Sequence, residues 1–199
     1  MKQYNLVLSG LGGQGVMTIS QVIADAASHE NILVKLFEGT GISQRGGGVY
    51  SFVRLGESYS PKIPVGKGDA IISLEISEIA SVIPYLKSNG QVWTNSGMIH
   101  SYYTKLKPEL YPKPKDIQAM VMLKTNRLFT IPAVRLAKEA GSAQAVNMVM
   151  LGAFASNNTL VSVDSLTWAI AETNKRYAEA NLNAFWNGFK FCDKATGAK

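Results

Sequence analysis

The stretch Tyr4-Asn5-Leu6-Val7-Leu8-Ser9-Gly10-Leu11-Gly12-Gly13-Gln14-Gly15-Val16 decides how the rest of the chain is read. Tyr4 to Ser9 is a short, nearly continuous apolar run, which predicts a strand buried on both faces. It ends at Gly10, Gly12 and Gly15, which satisfy G-x-G-x-x-G. Beyond Gly15 the apolar residues Val16, Ile19, Ile23 and Ala27 fall at steps of three and four, predicting a helix with one apolar face. Ile32 to Phe37 is strand-like again. Strand, glycine turn, helix and strand make a βαβ unit, from which a directly paired parallel pair with a right-handed crossover is expected.

Outward from this unit the pattern continues to alternate. Val49 to Leu55 predicts a strand with Val49, Ser51, Val53 and Leu55 on one face and Tyr50, Phe52 and Arg54 on the other. Asp69 to Leu74 predicts a buried strand, Ile76 to Leu86 a helix ended by Asn89-Gly90, and Gln91 to Asn95 the next strand. Pro108, Pro112 and Pro114 argue against regular structure from 97 to 116. Lys115 to Leu123 reads as a helix, Leu128 to Ile131 as a short strand, and Pro132 to Ala140 as a helix closed by Gly141. From Gln144 the chain is helical, broken at Asn157-Asn158, with Asp164 or Ser165 capping the next helix. Leu182, Phe185, Trp186 and Phe189 form a last apolar stripe, and the tail from Asp193 to Lys199 is expected to fray. The expected fold class is α/β, in three α/β/α layers. A twisted, mostly parallel or mixed sheet has helices on both faces and a helical C-terminal region, all in a single domain over 1–199.

Composition narrows the function. Hydrophobic residues make up 46% and charged residues 17% of the 199, which supports a packed core. No apolar run is long enough to span a bilayer, and the N-terminus enters a strand and glycine turn directly, so a cytoplasmic chain without membrane contact is expected. The single Cys192 excludes an internal disulfide and a four-thiolate iron–sulfur cluster. The net charge is +6 and is uneven: residues 61–140 carry eleven basic against six acidic side chains. Lys105, Lys107, Lys113, Lys115, Lys124, Arg127, Arg135 and Lys138 make this region a solvated basic face or a docking face for an anionic partner. No nucleic-acid-binding motif accompanies it. His29 and His100 lack a metal-ligand spacing, and no G-x-S-x-G surrounds a serine.

Two glycine loops remain as the candidate site. Glycines at 10, 12 and 15 allow a tight turn and close approach of an anion to the start of a helix. Glu38 lies near the spacing expected of a ribose-binding acid. Downstream, Ser43-Gln44-Arg45-Gly46-Gly47-Gly48 sets a guanidinium beside open backbone, which suits a carboxylate or phosphate. A triple glycine is expected where a ligand or another backbone comes close. The two loops are expected to meet at one end of the sheet.

These residues carry a family resemblance. Gly10-x-Gly12-Gly13-Gln14-Gly15-Val16, then Ser43-Gln44-Arg45-Gly46-Gly47 followed by Val49, Ser51, Val53 and Arg54, resembles the gamma domain of the 2-oxoacid:ferredoxin oxidoreductases. Ser60-Pro61-Lys62-Ile63-Pro64, Gly68-Asp69-Ala70, Pro84-Tyr85-Leu86 and Asn181 to Gly188 extend the similarity to the indolepyruvate-type beta subunits of that family. The resemblance implies a gamma-type subunit of a heteromeric enzyme that oxidatively decarboxylates an aryl 2-oxoacid to its acyl-CoA and reduces ferredoxin. Gly10, Gly12, Gly13, Gln14, Gly15, Ser43, Gln44, Arg45, Gly46 and Gly47 are then its candidate cofactor-binding residues, with coenzyme A at a shared site. Gly68-Asp69-Ala70 lacks the second glycine of a thiamine diphosphate motif, and no Cys-x-x-Cys is present. Thiamine diphosphate, Mg²⁺ and [4Fe-4S] clusters are therefore expected in a larger catalytic alpha subunit, with this chain inactive alone and either single or homodimeric. Two other readings stand beside this one: a stand-alone NAD(P)- or flavin-binding oxidoreductase using Gly10 to Gly15 and Glu38, and an assembly subunit that binds no ligand.

Overall fold

The computed structural model describes residues 3–40, 47–98, 106–158 and 160–196. The opening run forms β1 (Tyr4–Leu11), and the 3.6-residue periodicity beyond Gly15 forms α1 (Val16–His29). β2 (Val34–Thr40) and β3 (Gly48–Leu55) follow, then β4 (Gly68–Ser73). β5 (Leu86–Asn95) and β6 (Leu128–Ile131) complete a six-stranded sheet of order β2-β3-β1-β4-β5-β6.

The expected direct pairing of β1 with β2 is corrected by this order. β3 lies between them, antiparallel to both, with Val53 opposite Leu6 on one side and Leu36 on the other. β1, β4, β5 and β6 pair in parallel, so the sheet is mixed and β3 alone runs against the rest. The βαβ pattern reports strand direction correctly, since β1 and β2 point the same way. It cannot report a strand that enters later from the other end.

Period-two alternation divides the core in two. Leu6, Leu8, Val53, Ile72 and Trp93 point to one face, where α1, α4 (Ala133–Glu139), α5 (Val146–Ala155), α6 (Val163–Thr173) and α7 (Ala178–Thr196) cover them. Val7, Phe52, Ile71 and Val92 point to the other. Among the described residues that face is covered by α2 (Ile79–Val82) with its flanking 3₁₀ turns and by α3 (Pro114–Met122). Pro84 breaks the helix expected over Ile76 to Leu86 into these short pieces, because its nitrogen cannot donate. Ile76, Ile79, Val82 and Ile83 still reach the sheet.

Asn89-Gly90 does not end that segment but lies within β5. Asn89 adopts φ 60 and the register against β4 shifts there, so the turn-forming pair makes a bulge. The cap of α6 is Ser162, whose side chain accepts from the Ser165 N–H, rather than Asp164 or Ser165.

Candidate functional site

The site is built where the chain changes direction across the sheet. From β1 the connection through α1 leads toward β2, and β4 enters on β1's opposite side, so the carboxyl ends of β1 and β4 flank a topological switch point. In open α/β sheets ligands bind at this crevice.

The first glycine loop closes on itself and on the second loop. The Gly12 N–H donates to the Gly47 carbonyl at 2.9 Å, and Gly10 pairs with Val49. The close backbone approach expected at the triple glycine is thus made, at Gly47, by the chain's own first turn. Gln14 folds back so that its Oε1 accepts from the Leu11 N–H at 2.6 Å. A Cβ on Gly10 would come within 2.8 Å of that oxygen and 3.1 Å of Leu74 Cβ. Gly15 precedes α1 with φ +88, and a Cβ there would meet the Asn147 amide nitrogen at 2.3 Å. Gly13, at φ +95, has no atom within 4 Å of where a Cβ would stand and is the open member of the loop.

Gly10, Gly12, Gly13, Gln14, Gly15 and Gly47 therefore lie together, at the carboxyl end of β1. Ser43, Gln44, Arg45 and Gly46 lie outside the described residues, as do His100 and Lys105. Glu38 is exposed on β2 and pairs with Ser51, with the whole of β3 between it and β1. Two strand spacings, about 10 Å, separate β2 from the glycine turn instead of one. The geometry that a ribose-binding acid needs in a dinucleotide fold is lost.

Sequence reasoning missed the polar groups facing this loop pair. The Ser9 hydroxyl donates to Ser73 Oγ at 2.9 Å, and Ser73 Oγ donates to the Glu75 carbonyl at 2.6 Å. Glu75 is fully buried, and the Tyr111 hydroxyl donates to its carboxylate. Burial and the Glu75 hydrogen bond raise the Tyr111 hydroxyl well above the usual phenol range. Glu78 follows, its carboxylate 2.3 Å from the position of a Cβ on Gly48. Burial, reinforced by the Glu75 charge, pushes the Glu78 carboxyl up. The signal was a carboxylate set directly after the apolar run of β4, at the carboxyl end of a buried strand.

Asp69 has a different setting. It sits at the start of β4, at the opposite end of the sheet, where its carboxylate accepts the Asn5 N–H at 2.7 Å and pairs with Lys87. Those partners give it a structural task remote from the switch point, and the donor set there does not fit a Mg²⁺–diphosphate group. The basic run is also divided. Lys113 and Lys115 lie at the start of α3, Lys124 and Arg127 at the amino end of β6, and Arg135 on α4 is paired with Glu139 at 2.7 Å. His29 ends α1, with its ring stacked on Trp168 at 4.3 Å. Among the described residues no helix is long and apolar enough to cross a membrane.

Comparison with known proteins places this architecture. The family model described as pyruvate ferredoxin/flavodoxin oxidoreductase matches residues 5–191. The indolepyruvate oxidoreductase subunit IorB of Thermococcus kodakarensis is 36% identical over 201 residues, covering 99% of this chain and 100% of that protein. Its counterpart in Pyrococcus horikoshii is 37% identical over 155 residues, 77% of each chain. The gamma subunit of a keto/oxoacid ferredoxin oxidoreductase from Geobacter sulfurreducens shares the fold, with TM-score 0.70 at 23% identity over 95% of this chain and 98% of that one. So does the 2-oxoglutarate:ferredoxin oxidoreductase of Magnetococcus marinus, TM-score 0.72 at 21% identity, in which 98% of this chain corresponds to only 32% of a longer one. On the match over residues 5–191 and the identity to relatives of the same length, the chain belongs to the pyruvate ferredoxin/flavodoxin oxidoreductase family.

Proposed function

We propose that this chain is the gamma-type subunit of an indolepyruvate (aryl 2-oxoacid):ferredoxin oxidoreductase. It completes the active-site approach of a larger catalytic subunit and has no oxidoreductase activity alone. The observation that carries this reading is that the glycine turn spends its opening donors internally. The Leu11 and Gly12 N–H groups, which would cradle a phosphate in a dinucleotide fold, are taken by Gln14 Oε1 and the Gly47 carbonyl. Joined to the displacement of β2 by β3, this weighs against a stand-alone NAD(P) or flavin enzyme. It favours a turn built as a rigid edge. The 36% identity to an indolepyruvate oxidoreductase subunit over 99% of the chain supports an aryl 2-oxoacid as the substrate class.

In this reading thiamine diphosphate, Mg²⁺ and [4Fe-4S] clusters belong to the larger subunit and supply the decarboxylation and electron transfer. Coenzyme A is the one group toward which this chain offers contacts. Gly13, with nothing against its open side, lets a ligand reach the backbone, and Arg45 supplies a cation for an anionic group of the coenzyme. Titrating coenzyme A against the assembled enzyme tests this. Arg45→Ala should weaken binding about tenfold, as expected for loss of one charge-assisted hydrogen bond of ~1.5 kcal/mol. An unchanged affinity removes Arg45 as a ligand.

A further inference from the structure

One feature that the glycine loops do not absorb is a groove of about 410 Å³ between the first turn of α1, the turn before α5, and the junction of α6 with α7. Its volume is that of a ligand or peptide site. None of the residues lining it carries a charge. Thr18, Ser142, Gln144, Asn174 and Asn181 bring hydroxyl and amide groups to it, and their side chains make no hydrogen bond to another described residue. Asn147 stands in the floor, buried, with its amide nitrogen against Gly15. Val22, Met148 and Ile170 supply an apolar base. Tyr177 stands at the rim, 49% exposed.

Each amide side chain offers one acceptor and a donor pair, the complement of a peptide's C=O and N–H. A charge-free lining offers no side-chain counter-charge to the anionic parts of a nucleotide. An exposed tyrosine beside an apolar base is the composition of a protein-binding surface. Through Asn147 and Gly15 the groove is continuous with the glycine turn, the edge assigned above to the partner.

We infer that this groove is the seat of an extended, uncharged peptide segment of the larger partner subunit. The inference rests on the subunit reading of the preceding section. The occupant's backbone is read by the amides of Gln144, Asn174 and Asn181, and an apolar side chain enters against Met148 and Ile170.

The test titrates the purified chain with the purified cluster-bearing large subunit and follows hydrogen exchange at residues 142–148 and 173–181. Gln144→Lys and Asn181→Lys place a charge in the groove, and Asn126→Lys makes the same change at the amino end of β6. Assembly should slow exchange in both segments, and each groove variant should weaken association at least about tenfold while Asn126→Lys leaves it unchanged. Wild-type affinity in both groove variants, with exchange unaltered by assembly, overturns the docking site and leaves the subunit reading standing. Protection by coenzyme A alone, equal to that on assembly, makes the occupant a small molecule and also overturns it. A wild-type chain that does not associate overturns the subunit reading itself.

Discussion

Gly15 shows how one residue couples a motif to the fold. Its φ of +88 is left-handed, and the Asn147 side chain fills the space a methyl group would take. Gly15→Ala should therefore destabilise the chain by about 1–3 kcal/mol, read from urea denaturation. Glu78 gives the second prediction at this scale. Burial and Glu75 raise its pKa in the folded state, so the folded chain holds a proton that the unfolded chain has released. Stability thus falls as pH rises from the ordinary glutamate value through the raised one. Glu78→Gln should remove that fall and gain a few tenths to about 1 kcal/mol at neutral pH, since solvent screens a half-buried side chain. Below the ordinary carboxylate range the variant and the parent should be equally stable. A loss at neutral pH would show that the carboxylate instead has a stabilising partner. The glycines of the turn were legible because their chemistry is local. Asn147 and Glu75 were not, because their importance comes from what lies across the crevice.

At the scale of elements, the tightest contact is between α5 and α7. A Cβ on Gly152 would fall 1.9 Å from the Phe185 carbonyl oxygen, and one on Gly188 would fall 2.0 Å from that of Val149. The two backbones touch through reciprocal glycines, and backbone cannot rotate away as a side chain can. Gly152→Ala gains about 1 kcal/mol of helix propensity. It forces the helices apart at a cost of roughly 3 kcal/mol, so a net loss of about 2 kcal/mol is expected in thermal or denaturant unfolding. A stabilised Gly152→Ala would mean the helices are not in contact there. Apolar periodicity located α1, β3, β4 and β6 within a residue or two, because each buries a continuous face. It failed where one residue overrode the pattern: Pro84 broke a helix, and Asn89-Gly90 bulged a strand instead of ending a helix. Ser162 capped α6 from two or three residues earlier than expected, where its hydroxyl also meets Glu30. Pairing order was out of reach for a different reason. Nothing in the spacing of β1, β2 and β3 states that the third inserts between the first two.

The whole molecule is asymmetric in a way that suits a subunit. Among the described residues five helices cover one face of the sheet, while the other carries the short α2, α3 and 3₁₀ turns. The glycine turn, the buried Glu75 and the charge-free groove gather at the carboxyl end of β1 and β4. The family resemblance was legible because its paired glycine motifs are specific. One cysteine cannot build a four-thiolate cluster, and on that ground the proposed reading assigns the redox groups to the larger subunit. The central claim is that this end of the molecule completes another chain's active site rather than forming one of its own. The most direct measurement is aryl 2-oxoacid- and coenzyme A-dependent reduction of ferredoxin, assayed with the chain alone, the large subunit alone and the two together. The account predicts activity only on mixing, with no nicotinamide-dependent oxidation and no bound flavin in the isolated chain. Full activity of the large subunit by itself, or a nicotinamide- or flavin-dependent activity of this chain by itself, would contradict it.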